Sequence, residues 1–250
     1  MEWTDIGIVI GARAFGESSK IVDVLTREHG RCSGLVRGAR GRQMRAVLQP
    51  GNSVRLRWRA RLDDQLGAFQ IELAAGRAGT LVETAHGAFG IQAMAVLLRL
   101  LAERDPHPRL HDTAVVVLDH FETPSAAGEA MIRFELALLD EIGFGLDLAS
   151  CAATGSREDL AYVSPRTGRA VSRTAGAPWH GRLLPLPAFL AAGDAGADHP
   201  LTPGEIADGF RLTGHFLEMH VRQMSDRPLP AERTRFVDGV NRALARAAGT

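Results

Sequence analysis

The hydrophobic period of the chain changes near Glu83, and this change constrains the fold more than any other feature of the sequence. Before it, apolar and polar residues tend to alternate, which is the period of a β-strand. After it, apolar residues recur every three to four positions, as they do along one face of an α-helix. The sequence therefore predicts an α+β chain, with a strand-rich N-terminal part followed by a helical part.

Five short strands are predicted before the change of period. They lie at residues 6–10, 21–25, 32–37, 54–62 and 68–73. Turn signals separate them, among them Pro50-Gly51-Asn52 and Asp63-Asp64. Five strands in a segment this short predict a small closed barrel, and the five-stranded OB-fold is the best-known barrel of that size that binds single-stranded nucleic acid. We expect residues 1–80 to form this domain.

The rest of the chain, residues 81–250, is predicted to form an all-helical domain. Helices are expected at 91–101, 112–121 and 126–142, from the Thr202-Pro203-Gly204-Glu205 start signal onward, and at 232–247. A short helix is expected from Pro187. Residues 150–177 interrupt this pattern, because they are irregular and polar, with possible hairpin strands at 162–163 and 170–171. We expect them to form a small insertion.

Arginine is concentrated in residues 27–61, which hold ten arginines and a single acidic residue, Glu28, in a chain whose formal net charge is zero. Strand periodicity sends Leu56, Trp58, Ala60 and Leu62 to one face of the fourth strand and its arginines to the other. Residues 37–45 contain two glycines and no apolar period, which predicts a mobile basic loop. Loop and strand together predict a groove for a polyanion. Its candidate nucleic-acid-binding residues are Arg37, Arg40, Arg42, Arg45, Arg55, Arg57, Arg59 and Arg61.

Two plainer uses of this arginine cluster remain open: a soluble surface, or a docking face for the acidic C-terminal part of the chain. If nucleic acid binds, phosphate contacts should supply most of the affinity, which would then be indifferent to sequence and fall steeply with salt. Aromatic residues offer less support. Trp58 is predicted to be core, which leaves Phe15 and Phe69 as candidates for base stacking.

Motifs of known catalytic sites are absent from the sequence. It contains no phosphate-binding Gly-x-x-x-x-Gly-Lys-Ser/Thr loop, no Gly-x-Ser-x-Gly elbow and no His-Glu-x-x-His pair. His215 and His220 are five residues apart on a predicted helix and do not share a metal-binding face. We therefore predict that the protein is not an enzyme. Two rival classes stay open, an OB-fold RNA-binding protein of translation or RNA processing and a hydrolase with an unrecognised site.

The sequence also carries signals about compartment. The N-terminus is acidic and lacks the layout of a secretory signal, and no apolar run approaches the roughly 18 residues of a membrane span. The two cysteines, Cys32 and Cys151, are far apart and are expected to be free thiols. These features predict a cytoplasmic protein without membrane contact.

Five segments, in order along the chain, resemble the RecO family of DNA repair and recombination proteins. They are residues 3–10, residues 16–22, the basic residues 34–40, residues 133–136 with Leu139 and 143–145 at the central helix, and residues 227–230 followed by Arg235-Phe236. The resemblance implies an OB-fold followed by a helical domain. It also implies a non-enzymatic recombination mediator that binds single- and double-stranded DNA and anneals complementary strands.

The resemblance further implies partners and a location. Members of the family associate with RecR and with the C-terminal tail of the single-strand-binding protein, help to load the RecA recombinase, and are linked to RecF. A cytoplasmic, nucleoid-associated protein is expected. Arg133, a cation on a largely apolar helix, is the candidate for receiving the acidic tail of the single-strand-binding protein.

Many members of the family also carry a four-cysteine zinc site after the central helix. Here Cys151 occupies the first position, and Thr154, Ser172 and Ala175 occupy the others. Since these three residues cannot supply thiolates, we expect no zinc and no other cofactor. The insertion should then be a degenerate, zinc-finger-like hairpin held by its own packing.

Overall fold

The computed structural model of the protein describes residues 1–62, 65–191, 201–225 and 228–248. The predicted turn at Asp63-Asp64 and the Arg227 position of the C-terminal segment lie outside these ranges. The chain divides into two compact units, Met1–Glu122 and Thr123–Thr250. The predicted domain boundary near residue 80 stays a prediction.

Five strands of the first unit close into a barrel. They are β1 (Glu2–Phe15), β2 (Ser19–Thr26), β3 (Gly30–Val36), β4 (Ser53–Arg59) and β5 (Ala68–Ala75). Their order around the barrel is β1-β2-β3-β5-β4, with β3 and β5 parallel and the other pairs antiparallel. The long strand β1 pairs with β2 and also with β4, and an irregularity between Val9 and Gly11 helps it to curve. The prediction of an α+β chain with an N-terminal five-stranded OB-fold is confirmed.

The alternation predicted for β4 places its side chains correctly as far as Arg59. Leu56 and Trp58 are buried in the barrel, whereas Arg55 and Arg57 are exposed on its outer face. The strand ends at Arg59, three residues before the predicted end. The prediction that Leu62 belongs to the core is wrong, because Leu62 is 54% exposed. Alternation orients a side chain only while the strand continues.

The prediction of a mobile loop at residues 37–45 is partly wrong, because a short helix, α1 (Arg42–Val47), begins within it. Val47 and the following Leu48 are buried against the barrel interior. The amide Nδ2 of Asn52 donates to the carbonyl oxygens of Ala46 (2.8 Å) and Val47 (3.2 Å), at the end of the helix. A helix of six residues is too short to show an apolar period, so packing and this cap decide its formation.

Three more helices complete the first unit. They are α2 (Ala78–Leu81), α3 (Ala85–Leu97), which continues as a 3-10 turn (Leu98–Leu100), and α4 (Pro108–Asp119). Helix α3 starts six residues before the prediction because Thr84 caps it, its Oγ1 accepting from the Gly87 N–H at 3.1 Å. Its first turn is rich in Ala and Gly and therefore carries little period. Both α3 and α4 pack against β1.

The second unit is a helical bundle with a small sheet. It contains α5 (Pro124–Glu141), β6 (Leu160–Val163), β7 (Ala170–Ser172), α6 (Arg173–Gly176), a 3-10 helix (Ala177–Arg182), β8 (Leu184–Pro185), a 3-10 turn (Ala188–Leu190), α7 (Pro203–Ser225) and α8 (Ala231–Ala248). Helices α5, α7 and α8 pack together, and the sheet has the order β7-β6-β8. The predicted hairpin strands are confirmed within β6 and β7, and the short helix expected from Pro187 is the 3-10 turn.

The start of α7 follows from the sequence signal at residues 202–205. The backbone N–H of Thr202 donates to Glu205 Oε2 at 3.0 Å, and the backbone N–H of Glu205 donates to Thr202 Oγ1 at 3.2 Å. This reciprocal pair is a capping box. No helix in the described ranges combines the length and the apolar character needed to cross a bilayer.

Candidate nucleic-acid interface

A row of guanidinium groups runs along the outer face of β4. Arg55, Arg57 and Arg59 occupy every second position, so successive members are about 6.6 Å apart along the strand. The side chain of Arg59 is 81% exposed, more than that of Arg57 at 59%. Such a row can contact successive phosphates of an extended strand with one guanidinium each. We call these three residues the β4 row.

Among the described residues, two acidic residues, Glu2 and Glu72, are cross-strand neighbours of the β4 row. Glu2, across from Arg59 in the β1–β4 ladder, forms an ion pair with Arg57 and lies 3.8 Å from the Nε of Arg59. Glu72 of β5 is the cross-strand neighbour of Arg55. Among these described residues of the face, three guanidinium groups meet two carboxylates. Its ion pairs are exposed, so each contributes about 0–1 kcal/mol and can open when a phosphate competes.

The basic segment, residues 37–45, begins at the end of β3. Gly38 has φ +65°, a left-handed conformation that favours glycine, and allows the chain to turn. Arg37 and Arg40 lie on the turn, whereas Arg42 and Arg45 lie on α1, and all four side chains are exposed. Arg42 occupies the first turn of the helix, where the helix dipole disfavours a cation. The positive charge of Arg42 therefore does not stabilise α1.

Strand register shows which end of the barrel each part of the predicted arginine cluster is near. Val36 ends β3 at the barrel end where β4 starts, so Arg55 is the member of the row nearest this end and Arg59 the farthest. Arg61 follows β4 and is exposed. Both parts of the predicted arginine cluster thus lie on the same barrel, with β5 between β3 and β4.

Two further cations at this end were missed by the sequence reasoning. Lys20 pairs in register with Val36, next to Arg37, and Arg13 pairs with Ile21 on the neighbouring strand. Nη2 of Arg40 donates to the carbonyl oxygen of Gly16 at 3.3 Å, which joins the basic segment to the β1–β2 turn. The turn at Gly16 could have indicated these two cations in the sequence, because a hairpin there brings Arg13 and Lys20 to the same end of the barrel.

The predicted arginines do not line the cavity beside α1. This cavity of about 1030 Å³ lies between α1 and β5, and its walls include the apolar side chains of Met44, Ile71, Leu73 and Val82. None of the eight predicted arginines contributes to its lining. A polyanion would therefore meet the arginines on the outer surface.

Of the two phenylalanines predicted to stack on a base, one is exposed and one is buried. Phe15, at the end of β1, is 51% exposed and can reach a ligand. Phe69 is 4% exposed inside the barrel, where its ring faces the backbone of Gly34, so the prediction that Phe69 stacks on a base is wrong. Trp58 is buried, as expected.

Arg133, the candidate partner contact, lies on α5. Its Nε donates to Glu129 Oε1 at 2.9 Å, and its Nη2 donates to the carbonyl oxygen of Phe189 at 3.1 Å. Its guanidinium also lies 5.5 Å from the centre of the Phe189 ring. The side chain is about half exposed. Among the described residues these bonds involve only Nε and Nη2, so the two N–H groups of Nη1 can donate to a further carboxylate.

The hairpin insertion encloses Cys151. Its Sγ accepts from the Ser172 backbone N–H at 3.2 Å and lies 3.5 Å from Ser172 Oγ. Burial raises the pKa of this thiol, but hydrogen bonds from Ser172 and Thr154 outweigh it and lower the pKa to about 6. One thiol, two hydroxyls and the methyl of Ala175 do not fit a zinc ion, which takes thiolate and imidazole ligands. Across the described ranges, no three His, Cys, Asp or Glu side chains cluster as metal ligands would.

The two histidines of α7 lie in different surroundings. His215 Nε2 donates to the carbonyl oxygen of Pro165 at 3.0 Å. His220 is buried, and its ring meets Phe144 edge-on at 4.9 Å. Burial lowers the pKa of His220, because it disfavours the charged ring.

Comparison with known proteins places these features in context. Residues 1–77 match the family model "Recombination protein O N terminal", and residues 87–227 match "Recombination protein O C terminal". A "DNA repair protein RecO" of Bradyrhizobium sp. (strain ORS 278) is 54% identical over 246 residues, which cover 98% of both chains. Proteins of the same name from Rhizobium etli (strain CFN 42) and Sinorhizobium medicae (strain WSM419) are 52% and 50% identical, over 100% and 98% of this chain and 96% of each relative.

Proposed function

Because this chain belongs to the RecO family of DNA repair proteins, we propose that it is a non-enzymatic recombination mediator. It binds single- and double-stranded DNA, anneals complementary strands and helps to load RecA onto DNA covered by the single-strand-binding protein. Its partners are RecR and the C-terminal tail of the single-strand-binding protein, with an indirect link to RecF and RecA. It works at the nucleoid.

The observation that supports this proposal is the exposure of arginines both on the basic segment and along the β4 row of the same barrel. Exposed arginines at both places can form charge-assisted hydrogen bonds with phosphates. Two DNA strands repel each other through their phosphates, and a cationic surface that neutralises part of this charge lowers the barrier to their pairing. Annealing then needs no catalytic group and no nucleotide hydrolysis.

The second unit supplies the partner contacts in this proposal. Arg133 is half exposed on α5 and can offer its guanidinium to the carboxylates of an acidic tail. The hairpin works without zinc, because Cys151 accepts a hydrogen bond from the Ser172 backbone N–H in place of metal coordination. No cofactor takes part in the proposed mechanism.

Fluorescence anisotropy of a labelled single-stranded oligonucleotide across a salt series tests the DNA-binding surface. The first variant changes Arg37, Arg40, Arg42 and Arg45 to Ala. The matched control removes four exposed arginines of the second unit, Arg211, Arg222, Arg235 and Arg242, and so removes the same formal charge. We expect the log-log salt slope of the first variant to become shallower by about 0.7 for each phosphate that it no longer neutralises, and that of the control to stay near wild type.

Two results would contradict the proposal. If both variants lose the same affinity, net charge and not this surface attracts DNA. If RNA of equal length binds more tightly than DNA, the RNA-binding alternative is favoured. Strand annealing is tested separately, with complementary strands that carry a donor and an acceptor dye. The first variant should anneal them more slowly than the control.

A further inference from the structure

An aromatic cavity lies at the barrel end opposite the basic segment. It has a volume of about 420 Å³, and its walls include Trp3, His29, Cys32, Trp58, Arg104 and Pro106. This size falls in the range of small-ligand sites, and the lining combines aromatic surface with a few polar groups, as such sites do. Burial raises the pKa of Cys32 to about 11, so its thiol is neutral at physiological pH.

Strand pairing assembles the aromatic walls. Trp3 and Trp58 are partners in the β1–β4 ladder, and His29 belongs to the turn between β2 and β3. The ring of Trp3 stacks on His29, with centroids 4.0 Å apart and planes 7° apart, and on Trp58 at 5.5 Å and 16°. The three rings are thus nearly parallel, and a flat heteroaromatic ligand can continue the stack on His29, whose side chain is 35% exposed.

Asp5 fixes the orientation of the His29 ring. Its buried carboxylate accepts from His29 Nδ1 at 2.9 Å and from the Glu28 backbone N–H at 2.9 Å. Because a carboxylate accepts and does not donate, the proton of the neutral ring is on Nδ1. In that neutral tautomer the other ring nitrogen, Nε2, is an acceptor that suits an N–H group of a base.

Arg104 supplies a cation to the same cavity from a strained backbone. Its φ of +62° is unfavourable for a residue with a side chain, yet two hydrogen bonds hold it. Its N–H donates to the Arg31 carbonyl at 2.9 Å, and its Nη2 donates to the Gln65 carbonyl at 2.7 Å. The guanidinium consequently lies 5.5 Å from the centre of the Trp58 ring. Strain of this kind is common at ligand sites.

The β4 row leads to this end of the barrel. Arg59, its last member, directly follows Trp58, and the exposed Arg61 lies two residues further on. A strand whose phosphates contact the row from Arg55 to Arg59 therefore arrives beside the aromatic cavity. We propose that the cavity binds one unstacked base of single-stranded DNA whose backbone follows the β4 row. This inference rests on the DNA-binding function proposed above.

The cavity would distinguish single strands from duplexes. Phosphate contacts alone are made with either form, because both expose a charged backbone. In a duplex each base is paired and stacked, so its ring reaches a cavity only after the cost of unstacking. A single strand meets a smaller cost. The aromatic cavity thus adds affinity for single strands that the arginine surface does not provide.

Comparison of two oligonucleotides of equal length separates the base contact from the phosphate contacts. One is oligothymidine, and the other carries abasic sites in its central nucleotides. We expect wild type to bind the base-bearing strand about tenfold more tightly, as base–aromatic stacking would give. Trp3→Leu should lose most of this preference while it binds the abasic strand like wild type. Trp179→Leu, which removes an exposed tryptophan of the second unit, should keep the preference.

A second variant, Arg104→Gly, and a fluorescence measurement keep the test valid if Trp3→Leu does not fold. Arg104→Gly keeps the left-handed backbone, which glycine adopts without strain, and removes the guanidinium. It should lower the preference for the base-bearing strand. In a series of oligonucleotides that each carry one 2-aminopurine at a different position, wild type should quench the fluorescence of the base that occupies the cavity.

The outcomes separate the two proposals. If wild type binds both strands equally, or if Trp3→Leu folds and keeps the full preference, the cavity does not bind a base and the aromatic walls serve another ligand or the core alone. The DNA-binding function would survive that result. If wild type binds neither strand at low salt, both proposals are overturned.

Discussion

Arg233 of α8 and Glu135 of α5 form a buried ion pair with two hydrogen bonds. Nε donates to Oε1 at 2.7 Å and Nη2 donates to Oε2 at 2.9 Å, with side-chain exposures of 9% and 0%. The hydroxyl of Thr213 on α7 also donates to Glu135. The pair therefore ties together the three main helices of the second unit. The central-helix pattern predicted the helix but not this charged contact inside it.

Removal of one partner of this pair should destabilise the protein strongly. Glu135→Gln leaves the guanidinium of Arg233 buried without a counter-charge, which typically costs about 3–5 kcal/mol. We expect a loss of this size in the free energy of unfolding, measured by urea denaturation of the second-unit transition. Glu218→Gln, which breaks the exposed pair with Arg222, is the control and should cost less than about 1 kcal/mol. A Glu135→Gln variant as stable as the control would contradict this account.

The barrel should not tolerate a side chain at residue 34. A Cβ added to Gly34 would lie 2.5 Å from Cδ2 of the buried Phe69 ring, so Gly34→Ala forces the ring to move within a packed interior. Overpacking of this kind costs about 1–3 kcal/mol. Thermal unfolding should show a lower midpoint for Gly34→Ala, whereas Gly41→Ala, in open surroundings, should unfold near the wild-type temperature. Equal unfolding midpoints for Gly34→Ala and Gly41→Ala would mean that the Phe69 ring can move aside at little cost in stability.

Loss of the Glu2 carboxylate should strengthen DNA binding. Glu2 pairs with Arg57 and lies near Arg59, so Glu2→Gln frees two guanidinium groups of the β4 row for phosphates. We expect higher affinity at low salt and a log-log salt slope steeper by up to about 0.7 for each additional phosphate that is neutralised. Glu129→Gln removes the same charge from the second unit and serves as the control. If both changes strengthen binding alike, the effect is one of net charge.

The second unit should lose stability in mild acid because of His220. Burial lowers its pKa below the ordinary value of 6.5, so the unfolded chain binds the proton more readily than the folded chain. This contribution is fully present above pH 6.5 and is lost as the pH falls through the folded pKa. Among the described residues, Nδ1 of His220 meets no hydrogen-bond partner that could stabilise the charged ring.

A comparison of wild type with His220→Leu isolates this effect. Leucine is apolar and does not titrate, so the difference in unfolding free energy between the two proteins should change between about pH 7.5 and about pH 5.5 in favour of the variant. A constant difference over this range would show that His220 has the same pKa in both states. His215→Leu, at a part-buried position on the same helix, provides the comparison for a general loss of histidine.

Local features of the fold were predictable because their signals are local. The alternation of Leu56 and Trp58 with arginines predicts the two faces of β4, and the Thr202–Glu205 signal predicts the start of α7, whose capping box involves only adjacent turns. Helix α1 was missed because it is shorter than the window in which a period can be seen. Leu62 was misplaced because a pattern does not mark where a ladder ends.

The candidate site likewise combines features that were predictable from the sequence with contacts that were not. The strands, the main helices and the concentration of arginine in residues 27–61 follow from the sequence alone, since composition and periodicity are properties of neighbouring residues. The pairing of β1 with β4, which brings Trp3 beside Trp58, depends on the tertiary fold. So does the contact of Glu135 with Arg233 across 98 residues. Such contacts depend on how distant segments pack and pair, and no local pattern contains that information.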